Sequence, residues 1–339
     1  MTDDISPLIR KQAPLILEEI KKAKSILLHC HPSPDPDSVG SALAMKFALE
    51  QLGKKATVIK GDSEIPEAFM HFPGATEIVQ KNFFEVDLKQ FDLFIVLDAG
   101  SKEMISRIKP IELPLAVRTV VIDHHASNKS YGDMNLVDLG SPSATFILYQ
   151  LFKLWNLAIS KEIALNLFVG MYTDSGGFKY PPTDYRVFLA ASDLVRIVPE
   201  YIKALFIMEN SEHKESIFFR ALALGSIENF FNENIALASV SYADLESRGI
   251  SIEFTHGEGI PNTLKSVIGW NVGIILIEVE PNKVKVSMRT RDAEKFDVSK
   301  LAVILGGGGH RAAAGAVLSM SLPEAKKLVV AKAKELYNL

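Results

Sequence analysis

One cysteine, Cys30, stands among 339 residues, so the chain forms no internal disulfide and offers no thiolate cluster for zinc or iron–sulfur chemistry. This suits a reducing, cytoplasmic setting, with Cys30 as a small buried hydrophobe. No apolar stretch reaches the roughly 18 residues of a membrane span. The first residues carry Asp3 and Asp4 where a signal peptide has a basic start and an apolar run, so no membrane partner is expected. Positive charge is not in excess either. Lys and Arg number 37 against 41 Asp and Glu, a net charge of −4, which argues against a binder of long duplex nucleic acid. An anionic substrate would need local positive charge, such as metal ions.

What is present points to a globular protein. Hydrophobic residues make up 47% and charged residues 23%, which is enough apolar material for a packed core and far from a disordered composition. The length exceeds the roughly 100 to 200 residues of one domain, so two domains are expected. Short apolar runs at Ser25 to Cys30, Phe91 to Leu97 and Thr119 to Ile122 read as strands. A helical spacing of Ala42, Met45, Leu49 and Leu52, closed by Gly53, fills Ser38 to Leu52, giving an α/β layer with a mainly parallel sheet. Pro142 to Trp155 and Lys161 to Tyr172 read as helices, which would leave Asp174 just beyond a helix. Residues 192–230 form a long helical pattern, and Ile235 to Val240, Gly273 to Val279 and Lys283 to Met288 read as strands. The expected organisation is a parallel-sheet domain over residues 1–191, a helical linker over 192–230 and a smaller α/β domain over 231–339, with a cleft between the domains.

Four clusters carry the chemistry. His31, Asp35 and Asp37 lie in HPSPDPDSVGS, Asp98 in VLDAGS, Asp123, His124 and His125 in VIDHHASN, and Asp174 in YTDSGGF. Each follows the end of an apolar element, and in open parallel sheets the carboxyl ends of the strands form one ligand crevice. Asp is common in turns after strands, so any one of these alone would read as a loop residue. Three adjacent titratable groups directly after Val120, Val121 and Ile122 are different, because a structural turn gains little from them beside a buried sheet. Imidazoles and carboxylates without thiolate suit Mn²⁺, while Mg²⁺, Co²⁺ and Zn²⁺ also fit such mixed sites. Of the other histidines, His29, His71, His213 and His256 match no motif and read as solvated or structurally satisfied.

The set closely resembles the DHH phosphoesterases, named for the triplet seen here as Asp123-His124-His125. His31 to Asp37 looks like the family's first motif, Asp98 its second, the triplet its third and Asp174 its fourth. The tail from Gly306 to Gly315, GGGGHRAAAG, resembles the glycine-rich motif of the DHH-associated C-terminal domain. Within the family the chain looks most like the oligoribonuclease and phosphoadenosine-phosphate phosphatase branch, from Ser287-Met288-Arg289, Asp297-Val298-Ser299 and Asn128. Two departures are Pro36, where a glycine is frequent, and Phe146, near where relatives often carry a glutamate.

Position by position, the resemblance implies that His31, Asp35 and Asp98 hold one metal, while Asp37, Asp98, His124 and Asp174 hold the other, with Asp98 bridging. Two divalent ions would neutralise the charge of Asp35, Asp37, Asp98 and Asp174, and water activated between them would attack phosphorus. His125 would contact the scissile phosphate and Asp123 would orient a neighbouring histidine. Asp98, Asp123 and His125 are therefore the catalytic set. Arg289, Gly308, Gly309 and His310, with His125, would bind substrate. The glycine run is no Walker loop, since no Lys-Ser or Lys-Thr follows it, but glycines admit close backbone contact and the start of a following helix would favour an anion.

The expected activity is hydrolysis of short single-stranded oligonucleotides to 5′-mononucleotides, with 3′-phosphoadenosine 5′-phosphate as a further substrate and a homodimer as a compatible state. The alternatives are a cyclic dinucleotide phosphodiesterase, a polyphosphate or pyrophosphate phosphatase, and a regulator that binds nucleotides without turnover. The third would need a lost ligand, and every expected ligand is present.

Overall fold

The structure, a computed structural model, describes residues 4–255 and 259–339. Asp3 and His256 lie outside the described residues. By internal contacts the chain divides into two units, Met1–Ser211 and Glu212–Leu339.

In the first unit, β1 (Ser25–His29), β2 (Lys55–Ile59), β3 (Leu93–Leu97), β4 (Arg118–Asp123) and β5 (Met134–Val137) form one sheet in the order β2-β1-β3-β4-β5. Every pairing in it is parallel. Leu93 to Leu97 are all buried, the double-sided burial that gives parallel strands unbroken apolar runs. Each fully buried Leu, Ile or Val side chain contributes about 1.5–3 kcal/mol, so the core anchors the strands and their ends are left free to carry polar groups. The chain runs outward from β1 to β2 and then returns to β3, so strand order reverses between β1 and β3. A crevice opens at the carboxyl ends of strands that flank such a reversal.

The described α-helices of this unit are α1 (Pro7–Lys22), α2 (Pro36–Gln51), α3 (Ala144–Leu154), α4 (Lys161–Asp174), α5 (Tyr185–Ile197) and α6 (Tyr201–Glu209). α2 begins two residues earlier than its spacing suggests. Asp35 accepts the Ser38 N–H at 2.8 Å as N-cap, and Pro36 fills the first helical position, where its fixed φ suits a helix and its missing N–H costs nothing. The proline is thus a helix-starting device. α2 ends as expected, with Gly53 at φ +72° after it. Phe146, in the first turn of α3, is 2% exposed and belongs to the core.

The second unit contains α7 (Lys214–Gly225), β6 (Glu228–Phe230), β7 (Ile235–Val240), α8 (Tyr242–Ser247), α9 (Gly259–Ser266), β8 (Val272–Glu280), β9 (Lys283–Thr290), α10 (Val298–Ile304), β10 (Gly308–His310), β11 (Ala313–Leu318) and α11 (Leu322–Tyr337). Its sheet runs β10-β11-β9-β8-β7-β6. Among its described strands only β7 and β8 pair in parallel.

Two expectations need correction. The helical pattern over 192–230 is not one element: α5 ends before Pro199, which disfavours helical geometry in the residue ahead of it, α6 and α7 follow separately, and the stretch finishes in β6. No helix directly follows the glycine run. Gly308 to His310 form a strand that pairs antiparallel with Ala313 to Gly315, and α10 precedes it, so a helix N-terminus cannot supply an anion site there.

Candidate metal centre

His31 follows β1 and Asp98 follows β3, the two strands that flank the reversal of order. Asp98 has φ +57°, a left-handed conformation uncommon outside glycine and concentrated at functional sites. Its N–H still donates to the Ile122 carbonyl at 3.0 Å, so the sheet pairing persists up to the residue that turns. Asp123 is the last residue of β4 and Asp174 the last of α4. Both lie inside their elements, one position earlier than a reading of them as following residues would have it.

The carboxylate of Asp98 presents one oxygen to each of two histidines. Oδ2 is 3.4 Å from His31 Nε2, and Oδ1 is 3.2 Å from His124 Nε2. His124 Nε2 is also 3.3 Å from Asp174 Oδ2, and His31 Nδ1 is 3.7 Å from Asp35 Oδ2. Metal–ligand bonds of about 2.0–2.2 Å set neighbouring ligand atoms roughly 2.8–3.6 Å apart, the spacing of the three contacts made by Asp98 and Asp174. Donor atoms of Asp37, Asp98, His124 and Asp174 lie within 4.8 Å of one another, as do those of His31, Asp35 and Asp98, and those of Asp98, Asp123, His124 and His125. Buried polar atoms normally have hydrogen-bond partners, yet His31 Nδ1, Asp98 Oδ1 and His124 Nε2 are buried without one. Such orphaned donors around shared carboxylates fit a pair of divalent cations.

Other contacts hold the candidate ligands in place. Asp35 uses one oxygen as helix cap and turns the other toward His31. Asp37 is fully buried; its Oδ2 accepts the Ala144 N–H at 2.7 Å, and its Oδ1 accepts the Thr145 N–H at 3.0 Å and the Thr145 hydroxyl at 2.5 Å. Gly170 of α4 makes room for it, since a Cβ there would lie 2.7 Å from Asp37 Oδ1. His125 Nδ1 meets Asp123 Oδ1 at 2.7 Å, and Asn128 Nδ2 donates to Asp123 Oδ2 at 2.7 Å. His125 is thereby oriented with its ring 40% exposed. The supporting roles of Ala144, Thr145 and Asn128 went unassigned in the sequence. The S-P-S-A-T helix start and the polar Asn128 were the available signals.

Burial works against charge throughout the cluster. It raises Asp37 well above the carboxylate range, with Asp98 and Asp174 adding to the effect, and it raises Asp98 as well. For His31 burial opposes protonation, but Asp98 and Asp35 outweigh it and lift the group to about 9. Burial likewise opposes protonation of His124, and the facing carboxylates of Asp174 and Asp98 carry it to about 11. Between pH 6.5 and 9 the metal-free native state therefore holds protons that the unfolded chain releases, and its stability must fall as pH rises. The slope is at most about 1.4 kcal/mol per pH unit for each histidine. Chelator-treated protein is expected to lose Tm steadily from pH 6.5 to 8.5, with saturating Mn²⁺ flattening or reversing the trend. Equal slopes with and without metal would contradict this electrostatic account.

Among the described residues, His29 and His213 are not part of the cluster. His29 is buried, with Nδ1 3.1 Å from the Cys30 carbonyl, and burial drives it down to about 3. His213 packs against Phe254, with ring centroids 4.9 Å apart. Cys30 is fully buried, and burial pushes its thiol up to about 12.

In the second unit, Lys285, Ser287, Arg289, Gly308, Gly309 and His310 line an open hollow of about 680 Å³. Other basic groups of this region are committed elsewhere. Lys283 pairs with Glu280 at 2.7 Å, Arg311 with Glu294 and Asp297 at 2.9 and 3.3 Å, and Arg291 donates to the Ser266 carbonyl.

An open parallel α/β sheet with carboxylates and imidazoles gathered at its order reversal defines a protein with a candidate dinuclear metal centre. The chain belongs to the DHH family: residues 25–171 match the DHH family N-terminal domain and residues 250–338 the DHHA1 domain. It is 26% identical over 325 residues to a bifunctional oligoribonuclease and PAP phosphatase of Thermus thermophilus, covering 95% of this chain and 93% of that one. Among solved structures, an exopolyphosphatase-related protein from Bacteroides fragilis superposes with a TM-score of 0.82 at 21% identity, over the full length of both chains. RecJ from Thermus thermophilus, in complex with Mn²⁺, superposes with a TM-score of 0.50 at 16% identity, covering 97% of this chain and 55% of that one. No described helix is long and apolar enough to cross a membrane.

Proposed function

We propose that the chain is a metal-dependent phosphodiesterase that hydrolyses short oligonucleotides to 5′-mononucleotides and also acts on 3′-phosphoadenosine 5′-phosphate. The observation that carries this reading is Asp98, whose two oxygens face His31 and His124 separately, the disposition of a carboxylate shared by two ions. The relative from Thermus thermophilus, named as an oligoribonuclease and PAP phosphatase, supports the choice of substrates, and the Mn²⁺ of RecJ supports manganese. His31, Asp35 and Asp98 would hold one ion; Asp37, Asp98, His124 and Asp174 the other. Bound divalent ions supply Lewis-acid charge for a phosphoryl oxygen and lower the pKa of water toward ~7. The chain's own residues do the rest. Asp37 and Asp98 are buried and positioned before substrate arrives, and His125, oriented by Asp123, offers Nε2 to a phosphate oxygen.

Residues 212–339 would contribute substrate capture through Arg289 and His310, because a guanidinium binds phosphate through a bidentate fork. Arg289→Ala and His310→Ala are expected to lower kcat/KM for a dinucleotide roughly ten- to hundredfold, the loss of a charge-assisted contact of about 1.5–3 kcal/mol. A small chromogenic phosphodiester should suffer less, and metal content should hold. Equal losses on both substrates, or loss of metal, would remove the capture role. The reading as a whole is tested by Mn²⁺-supplemented hydrolysis of dinucleotides to 20-mers, 3′-phosphoadenosine 5′-phosphate, cyclic dinucleotides and pyrophosphate. Turnover confined to pyrophosphate or cyclic dinucleotides would replace it.

A further inference from the structure

We propose that Tyr180 is a stacking platform for the nucleobase next to the scissile phosphate, an assignment that rests on the oligonucleotide reading above. The chain leaves α4 at Asp174 and at once makes a turn of unusual backbone. Gly176, Gly177 and Phe178 are consecutive left-handed residues, with φ +61°, +68° and +65°. A bulky side chain holds that conformation only where its surroundings impose it, and such residues gather at ligand sites.

The surroundings are visible. The Phe178 N–H donates to Ser175 Oγ at 2.9 Å, and the N–H groups of Lys179 and Tyr180 both donate to the Ser175 carbonyl, at 2.8 and 2.9 Å. The Phe178 ring is clamped by Tyr172 and Phe188, with centroids 5.8 and 5.2 Å away. The turn therefore folds back on itself. Tyr180 comes to lie over Gly176, where a Cβ would fall 2.3 Å from its ring, and the stem of Lys179 lies over Gly177.

One part of the Tyr180 ring thus rests on glycine backbone, while the residue remains 61% exposed. A single exposed tyrosine is ordinary on a protein surface. This one is fixed by a strained turn that starts at a candidate metal ligand, and an exposed lysine adjoins it. An aromatic surface beside a cation is the recognition chemistry of single-stranded nucleotides. Every base has a π-face to stack, so the contact is indifferent to sequence, and the lysine meets the backbone phosphate. The turn would place a base beside the metal cluster and thereby set which phosphate is presented to it.

The test compares the full-length parent with Tyr180→Leu, Tyr180→Ser and Tyr180→Phe, each loaded with Mn²⁺. The substrates are an RNA dinucleotide and the same dinucleotide carrying a stable abasic sugar on either side of the phosphate. The Leu and Ser variants are expected to raise KM for the intact dinucleotide roughly tenfold, the scale of one lost base–aromatic stack, with kcat little changed. Tyr180→Phe should behave as the parent, since it keeps the ring. On one of the two abasic dinucleotides the parent should itself show the raised KM, and Tyr180→Leu should add nothing to it. Unchanged KM in both the Leu and Ser variants would overturn the proposal, as would equal further losses on both abasic substrates. If the Mn²⁺-loaded parent cleaves no dinucleotide, the oligonucleotide reading falls and this assignment with it. If the parent cleaves dinucleotides and only the Tyr180 effects fail, the assignment alone falls.

Discussion

Asp98→Ala is expected to abolish a structured two-ion centre and nearly all turnover, while leaving a folded protein. The carboxylate faces both His31 and His124, so its removal takes a ligand from each proposed ion. Metal stabilisation of transition-state charge is worth several kcal/mol, and at about 1.36 kcal/mol per tenfold the rate loss should be on the order of 10³ or more. The fold should survive because burial already disfavours the Asp98 charge, and Asp35 and Asp174 repel it. Alanine does meet strain at the left-handed backbone, of roughly 1–2 kcal/mol. Asp98→Asn keeps a side chain that tolerates this conformation while removing the charge, and so separates strain from ligation. Metal analysis decides the matter apart from activity: two Mn²⁺ per chain bound by both variants at parent affinity would show the ligand assignment to be wrong.

Much of this arrangement is legible in the sequence because the governing physics is local. Leu93 to Leu97 and Val120 to Ile122 are unbroken apolar runs, and parallel strands covered on both faces read in no other way. His31 and Asp98 fall just past strand ends, where the topology gathers ligands. Asp35 and Pro36 announce a helix start through capping chemistry. What the sequence withheld depends on tertiary contact. Thr145 grips Asp37 across more than a hundred residues, and no periodicity encodes that pairing. The glycines from Gly306 to Gly309 carry no side chains from which to read an alternation, so a hairpin strand there is indistinguishable from a loop before a helix. Nor does a count of basic residues reveal that Lys283 and Arg311 are occupied by neighbouring acids, leaving Lys285, Arg289 and His310 in the hollow. The glycines behind Asp174 make it read as a residue beyond the helix, whereas α4 runs through the aspartate and is capped by Ser175.

His124 and His125 are adjacent in sequence and yet should fail in different ways. His124 Nε2 is buried without a hydrogen-bond partner and lies 3.2 and 3.3 Å from Asp98 and Asp174. Its replacement by alanine should release metal. His125 instead commits Nδ1 to Asp123 at 2.7 Å, and that hydrogen bond, set against burial, raises its affinity for a proton. Asp123 is held in turn by Asn128; burial works against its charge, but these partners keep its carboxyl below the usual range, so it stays an anion that fixes the ring. A proton on Nε2 of His125 is then available to a phosphate oxygen or to the departing alkoxide. General acid catalysis of this kind contributes about 10²–10⁴-fold. His125→Ala is accordingly expected to lower kcat by that factor with two Mn²⁺ retained, whereas His124→Ala should show reduced metal content under the same conditions. Asp123→Asn should fall between parent and His125→Ala, because an amide can still contact the ring but cannot stabilise its charge. If His125→Ala loses metal as His124→Ala does, His125 is a ligand and the proton-donor role is wrong. If it keeps both metal and rate, the exposed Nε2 takes no part in the reaction.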